Sequence, residues 1–574
     1  MKYTARIVML LLVAVMLIPT FAACTNNTDD PLSVSTDNLT MPSESAESSA
    51  DTIDDKENFI FEIVYPSISV SSLKFNLTDK KLAEYNDKLD EAKLLFNKDE
   101  KGSEDIFTNA LYEVLSLRAE IQTQCDIAYL QYCYDMSDDT AWDNYLYAYR
   151  LHDEAADLFW GFYNTSKNVT NNLSTVFKEV VWEEYKGHTV MRISSADDYA
   201  YDMELLEEEY NSLINSNASD DEIFEVYKKY IIAANGLAVA SSAENYYEYA
   251  CKHIFYRNDT TAQREQLRKY TKEYLVPIYR ELKTKSKQID SSLSSFEYSL
   301  SDKYLFDKYD SFDEDYLFDY FSSLAPSSCE AMMEAFEKDR VLIGNTKNSY
   351  NNAMVYCVGN TPICYFHKDK TALDVMAHEL GHYYTNFVGD SNSAYYSYDL
   401  DETHSTANAM LLYSYLSNKI DSRAFKGAEI YKMYEWMYQI ILSVIKDEFD
   451  EIIYTGDPST LTLEDFERIM SDLIDEYNAR DLSNNMVSQL MTYWRRLGIK
   501  YSVKNYCYAT AKIASFQIYI KSKYDYAAAV EIYRKVVEEP QNDGDFVSTV
   551  VGAGLTTPYE EQTYIELKKL TEIY

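Results

Sequence analysis

The densest chemistry in the chain lies in the run Ala377-His378-Glu379-Leu380-Gly381-His382. On a helix, residues four apart project to nearly the same side, so the imidazoles of His378 and His382 can reach one metal ion. Glu379 stands one position round from them. From there it can approach a water on that ion without being a ligand, take its proton during attack on a carbonyl, and pass the proton to a leaving amine. Only seven histidines occur in 574 residues, which makes the pair at this spacing a specific signal. Glu402, 20 residues beyond His382, opens a further helical run, Glu402-Thr-His-Ser-Thr-Ala-Asn-Ala. Two His and one Glu suit zinc and leave the fourth coordination position for water or substrate, as a catalytic site requires. The residues thus imply one zinc per chain held by His378, His382 and Glu402, with Glu379 as general base.

Two nearby residues need separate readings. His404 lies two positions after Glu402 and so points roughly 200° away on a helix, which makes it a packing or surface histidine rather than a ligand. Asp374, one turn before His378, shares the face of the ligands. It either orients one of them or is a charge at a helix amino terminus.

The elements that must position these groups read as mostly helical. Thr78 to Phe96, Asp105 to Tyr134, Asp139 to Thr165, Asp220 to Tyr256 and Thr260 to Gln288 carry apolar residues at intervals of three and four. With 14 Gly and 10 Pro in the chain, long helices joined by short turns are expected, the turns at Ser219-Asp-Asp and Ser322-Ser-Leu-Ala-Pro among them. Phe59 to Val70 reads as a short strand. Met354 to Val358 and Ile363 to Phe366 read as two strands joined by a turn at Gly359, just before the motif helix. An edge there would bind a substrate backbone by strand addition. The 55 tyrosines read mainly as packing residues whose hydroxyls reach a partner or water.

Lys2 and Arg6, the apolar run from Ile7 to about Leu17, and Ala22-Ala23 before Cys24 have the layout of a secretory signal. The ending resembles a bacterial lipobox, with Phe21 where Leu is usual, and predicts lipidation of Cys24. An ordinary cleaved signal is the alternative, and the apolar run is shorter than the roughly 20 residues that span a bilayer. Thr25 to about Glu57 is too polar to bury a core and reads as a disordered tether. With 53 Lys and Arg against 94 Asp and Glu, the net charge of -41 repels phosphate backbones, so nucleic acid is excluded as a partner. Seven cysteines remain after Cys24 and form no CxxC pair; they read as buried thiols, with Cys357 and Cys364 placed to face each other across a hairpin.

At this point the chain resembles the thimet oligopeptidase and oligoendopeptidase F family, most closely the oligoendopeptidase F branch. The resemblance rests on Ala-His-Glu-Leu-Gly-His at 377–382, Glu402-x-x-Ser-Thr with Asn408, the strand-like segment at Pro362, Tyr508-Ala-Thr, and Val551-Gly-Ala-Gly-Leu-Thr-Thr-Pro558. It covers about residues 345–574. It implies a mainly α, two-lobed zincin-type metallopeptidase with a small β element beside the motif helix and a deep central channel that admits short unstructured oligopeptides. It also implies that a carboxy-terminal tyrosine, Tyr508 or Tyr501, stabilises the oxyanion. The organisation expected is a signal over 1–23, a tether over 24–57, a helical amino-terminal lobe over 58–344 and a zinc-binding catalytic lobe over 345–574. The whole would be a metalloendopeptidase anchored to the outer face of a bacterial membrane by its lipid. No histidine follows His404, although in this family one usually precedes those tyrosines, and Ala409 replaces a common Glu. These departures support an alternative, a catalytically weak or inactive lipoprotein that binds peptides in the same channel.

Overall fold

Scarce helix breakers and apolar spacings of three and four produce a chain that is mainly α-helical. The computed structural model describes residues 68–167, 169–185, 194–216, 218–289, 314–344, 346–368, 373–388, 397–420, 423–496, 503–540 and 544–574. The signal, the tether with Cys24, and Tyr501 lie outside the described residues. So does most of the strand expected at Phe59 to Val70; Val70 itself opens a 3-10 turn, Val70–Ser72.

The first helices are α1 (Asp79–Lys98), α2 (Glu104–Tyr134) and α3 (Asp139–Ser166). The helix expected over Asp220 to Tyr256 is two, α4 (Asp220–Ala240) and α5 (Tyr246–His253). Ser242 between them takes a left-handed φ of 66° and breaks the run. Ser219 starts α4 through a reciprocal capping box with Glu222, which satisfies two otherwise unpaired backbone groups. Next come α6 (Thr261–Tyr270), a π-turn over Thr271–Leu275, and α7 (Val276–Ile289). Pro326 begins α8 (Pro326–Glu337) at a position where its missing N–H costs nothing.

A three-stranded sheet then interrupts the helices: β1 (Val341–Gly344), β2 (Ala353–Val358) and β3 (Thr361–His367), in the order β1-β3-β2. The expected hairpin is β2–β3, turned by Gly359 at a φ of 58°. β1, which pairs parallel with β3, was not expected. In the hairpin register Cys364 opposes Val355 and Cys357 opposes Pro362, so the two cysteines are not cross-strand partners; neither forms a disulfide, and both are buried.

The sheet is the wall between two cores. Successive strand residues point to opposite faces. Tyr356, Val358, Ile363 and Tyr365 join a core built from α1 to α3, while Val355, Cys364 and Phe366 join a second core with the later helices. Burial on both faces explains why β3 reads as a continuous apolar run instead of alternating. Asp126 on α2 fastens this wall: its carboxyl accepts from Tyr356 Oη at 2.9 Å, the Gly359 N–H at 3.0 Å and Gln122 Nε2 at 2.7 Å.

Beyond the sheet lie α9 (Leu373–Val388), α10 (Tyr398–Ser417), α11 (Arg423–Thr455), α12 (Asn505–Tyr524) and α13 (Tyr526–Glu538). Among the described residues no helix is long and apolar enough to cross a membrane.

Candidate metal centre

Helix α9 carries His378 and His382 on one face, their rings 5.1 Å apart and nearly perpendicular. Helix α10 brings Glu402 to them from one turn inside its amino terminus, where the side chain is buried. One ligand atom from each of the three residues falls within 4.8 Å of the other two. His378 Nε2 and Glu402 Oε2 are 3.8 Å apart, too far to satisfy each other by a hydrogen bond and suitably placed to share a cation.

Gly381 explains how two helices come close enough to build this set. A Cβ at this position would lie 2.9 Å from the backbone Cα of Ser405 and 3.2 Å from the Asn408 side chain, so only glycine permits the approach. Asn408 then locks the pair, its Nδ2 donating to the Ala377 carbonyl at 2.7 Å, and Tyr320 Oη in turn donates to Asn408 Oδ1 at 2.7 Å.

The candidate ligand His382 is itself oriented. Its Nδ1 lies 3.1 Å from Asp401 Oδ1, which leaves Nε2 for a metal. Burial would lower the pKa of this imidazole, but the charge and hydrogen bond of Asp401, with the charges of Glu402 and Glu379, outweigh it and lift it to about 10. Asp401 was not anticipated from the sequence, although its place next to Glu402 was a usable signal. Asp374 has a different partner. Its carboxylate is 2.9 Å from Lys432 Nζ, so it ties α9 to α11 and does not orient a ligand. His404 is fully buried, with Nε2 donating to the Val536 carbonyl at 3.1 Å and Nδ1 3.0 Å from Thr385 Oγ1. Both ring nitrogens are engaged away from the metal set, in agreement with its reading as a packing residue.

Glu379 is 8% exposed, and burial pushes its carboxyl up to about 7, with Glu402 adding to the rise and His382 and the Val355 N–H opposing it. A carboxyl near neutrality can both take and return a proton at ordinary pH. The Val355 N–H belongs to β2, an edge strand of the sheet, so this edge runs past the candidate base.

The Tyr508 hydroxyl, on α12, faces Glu402 and Tyr398. Its ring stands edge to face against Tyr398, with centroids 6.1 Å apart. Lys504 and Lys512 flank the same ring, with Nζ 5.4 Å and 5.1 Å from its centroid. Neither lysine nor Tyr398 was foreseen. Their spacing of four around Tyr508 was visible, but lysine on a helix ordinarily faces solvent.

This assembly sets a HExxH helix and a carboxylate-bearing second helix beside a small sheet in a two-core helical body, with three side chains that could hold one metal ion. No protein-family model matches the sequence, and no curated protein matches it. Solved structures do. A PZ peptidase A structure determined with an inhibitor has a TM-score of 0.62 at 17% identity, covering 88% of this chain and 98% of its own. A structure from Bacillus anthracis assigned to oligoendopeptidase F has a TM-score of 0.60 at 14% identity, covering 88% and 97%. A peptidase structure from Chlamydophila abortus scores 0.55 at 14% identity. The chain therefore has the fold of oligoendopeptidase F and PZ peptidase, as the motifs indicated.

Proposed function

We propose that this chain is a zinc-dependent endopeptidase that hydrolyses short unstructured oligopeptides. The observation that carries the reading is the convergence of His378, His382 and Glu402 within 4.8 Å, with Glu379 buried next to them. The donor set fits zinc: two imidazole nitrogens and one carboxylate, with one imidazole steadied by Asp401. A zinc ion held there supplies a Lewis acid that acidifies water and polarises a carbonyl. Glu379 takes the proton of the attacking water and delivers it to the leaving amine. Asp401 holds the His382 ring in orientation throughout. Tyr508, whose hydroxyl faces Glu402, donates to the carbonyl oxygen as negative charge develops, a role typically worth about 3 kcal/mol of barrier. The β2 edge beside Glu379 offers main-chain groups to an extended peptide. The relatives in fold, named as peptidases, support the same substrate class.

The layout of the amino-terminal sequence supports a location outside the cell. A signal over 1–23, lipidation of Cys24 and a tether over 24–57 would hold the lobes 58–344 and 345–574 at the outer face of the bacterial cytoplasmic membrane. The test uses the form that begins after Cys24, incubated with a mixed library of short peptides and read by mass spectrometry beside Glu379→Gln. Cleavage by the parent and none by Glu379→Gln is expected. Equal cleavage by both would refute the assignment of the base.

A further inference from the structure

Lys504, Tyr508 and Lys512 follow one another at intervals of four, so they form one stripe along α12. That stripe faces the metal set: the charge of Glu402 acts on both lysines, and Lys512 acts on His378. The two ammonium groups flank the Tyr508 ring, and Lys504 Nζ also lies 4.5 Å from the Tyr398 ring centroid. Lys512 is only 8% exposed, yet among the described residues it makes no hydrogen bond or ion pair. The acidic side chains near it have other commitments. Glu402 belongs to the metal set, and Glu435 sits 3.2 Å from Lys432. An ammonium on a largely buried side chain, with no ion pair of its own, is stabilised by a bound anion. The chain carries a net charge of -41, so cations gathered at this one place are not a reflection of its composition.

Building on the peptidase reading, we propose that Lys512, assisted by Lys504 across the Tyr508 ring, binds a negatively charged oxygen of the substrate beside the scissile bond. Two sources have this chemistry. One is the terminal carboxylate of a short peptide, which would make the enzyme select substrates by their free carboxy terminus. The other is the scissile carbonyl oxygen as it gains charge during attack.

The experiment compares the parent, Lys512→Met and Lys512→Arg on a graded series of short peptides, each made as the free acid and as the carboxamide. Steady-state kcat and KM are measured. Calorimetric affinities are measured separately in the Glu379→Gln background, with and without Lys512→Met. Met is close to Lys in shape and apolar, so the fold should tolerate it. A terminal carboxylate predicts that the parent prefers the free acid by about tenfold or more, in both KM and calorimetry, and that Lys512→Met erases the preference. A developing oxyanion predicts that kcat falls roughly tenfold to a hundredfold for acid and carboxamide alike, with affinities unchanged and part of the rate restored by Lys512→Arg. Unchanged kcat, KM and affinity in Lys512→Met, for both peptide forms, would overturn the proposal while leaving the peptidase standing. If the parent cleaves no peptide, the peptidase reading fails, and the calorimetric difference between acid and carboxamide alone decides whether Lys512 binds an anion.

Discussion

Replacing Asp401 separates the support of the metal site from the site itself. Among the described residues His382 has one side-chain partner, Asp401, at 3.1 Å, with the carboxylate 26% exposed. A hydrogen bond to a charged group contributes about 1.5–3 kcal/mol, and outer partners of a metal-bound histidine are worth about 10–100-fold in affinity. Partial exposure screens some of the charge, which puts the expected effect in the lower part of that range. Asp401→Asn retains an acceptor for Nδ1–H and loses the charge, so zinc affinity should fall about tenfold, or about 1.4 kcal/mol. Asp401→Ala loses acceptor and charge and should fall further, toward a hundredfold. Zinc competition against a chromogenic chelator measures both. Asp374→Asn is the control, because that carboxylate holds Lys432 instead of a ligand, and its zinc affinity should stay near the parent value. If Asp401→Ala bound zinc as tightly as the parent, or if Asp374→Asn were the more damaging change, the geometry assigned to these carboxylates would be wrong.

Other outcomes follow from the packing. Gly381→Ala forces a Cβ to within 2.9 Å of the Ser405 backbone, so denaturant titration should show a loss of about 1–3 kcal/mol, together with weaker zinc binding as α10 is pushed from α9. Gly161→Ala, an exposed site on α3 with nothing within 4 Å of its new Cβ, should instead gain about 0.5–1 kcal/mol. Burial lifts the Asp126 carboxyl from 3.8 to about 7, against the hydrogen bonds from Gly359, Gln122 and Tyr356 that favour its charged form. The fold therefore holds a proton that the unfolded chain releases above pH ~4, and the stability this provides is complete in acid and is lost as pH rises toward 7. The cost of Asp126→Asn, read from urea midpoints, should be largest near pH 4 and shrink by up to about 4 kcal/mol by pH 8. A cost independent of pH would mean that Asp126 is charged in the fold throughout.

The sequence disclosed what depends on local spacing. The convergence of His378, His382 and Glu402, with Glu379 next to them, was legible because a helical period and the needs of a metal-binding set constrain residue type and position together. The hairpin at Gly359 and the helix start at Ser219 were legible because turns and caps demand particular residues. What escaped depends on contacts between distant segments. β1 is a four-residue strand that exists only through its pairing with β3. The division of the sheet between two cores follows from which helices pack on each face, which no local pattern encodes. Asp374 and Asp401 are both acidic residues near the motif, and only the arrival of Lys432 from α11 shows which of them orients a ligand. Lys512 looks like any helical lysine until Glu402 and His378 are brought opposite it. Tyr501, the second candidate for the oxyanion, lies outside the described residues, whereas Tyr508 stands beside Glu402.

The most direct test of the account is metal content coupled to activity in the form that begins after Cys24. Plasma mass spectrometry should find about one zinc per chain in the parent and in Glu379→Gln, and little in His382→Ala or Glu402→Ala. Chelation should stop peptide cleavage by the parent, and added zinc should restore it. Cleavage that persists at full rate in the zinc-free parent, or a full complement of zinc in Glu402→Ala, would contradict the assignment of His378, His382 and Glu402 as the catalytic metal site.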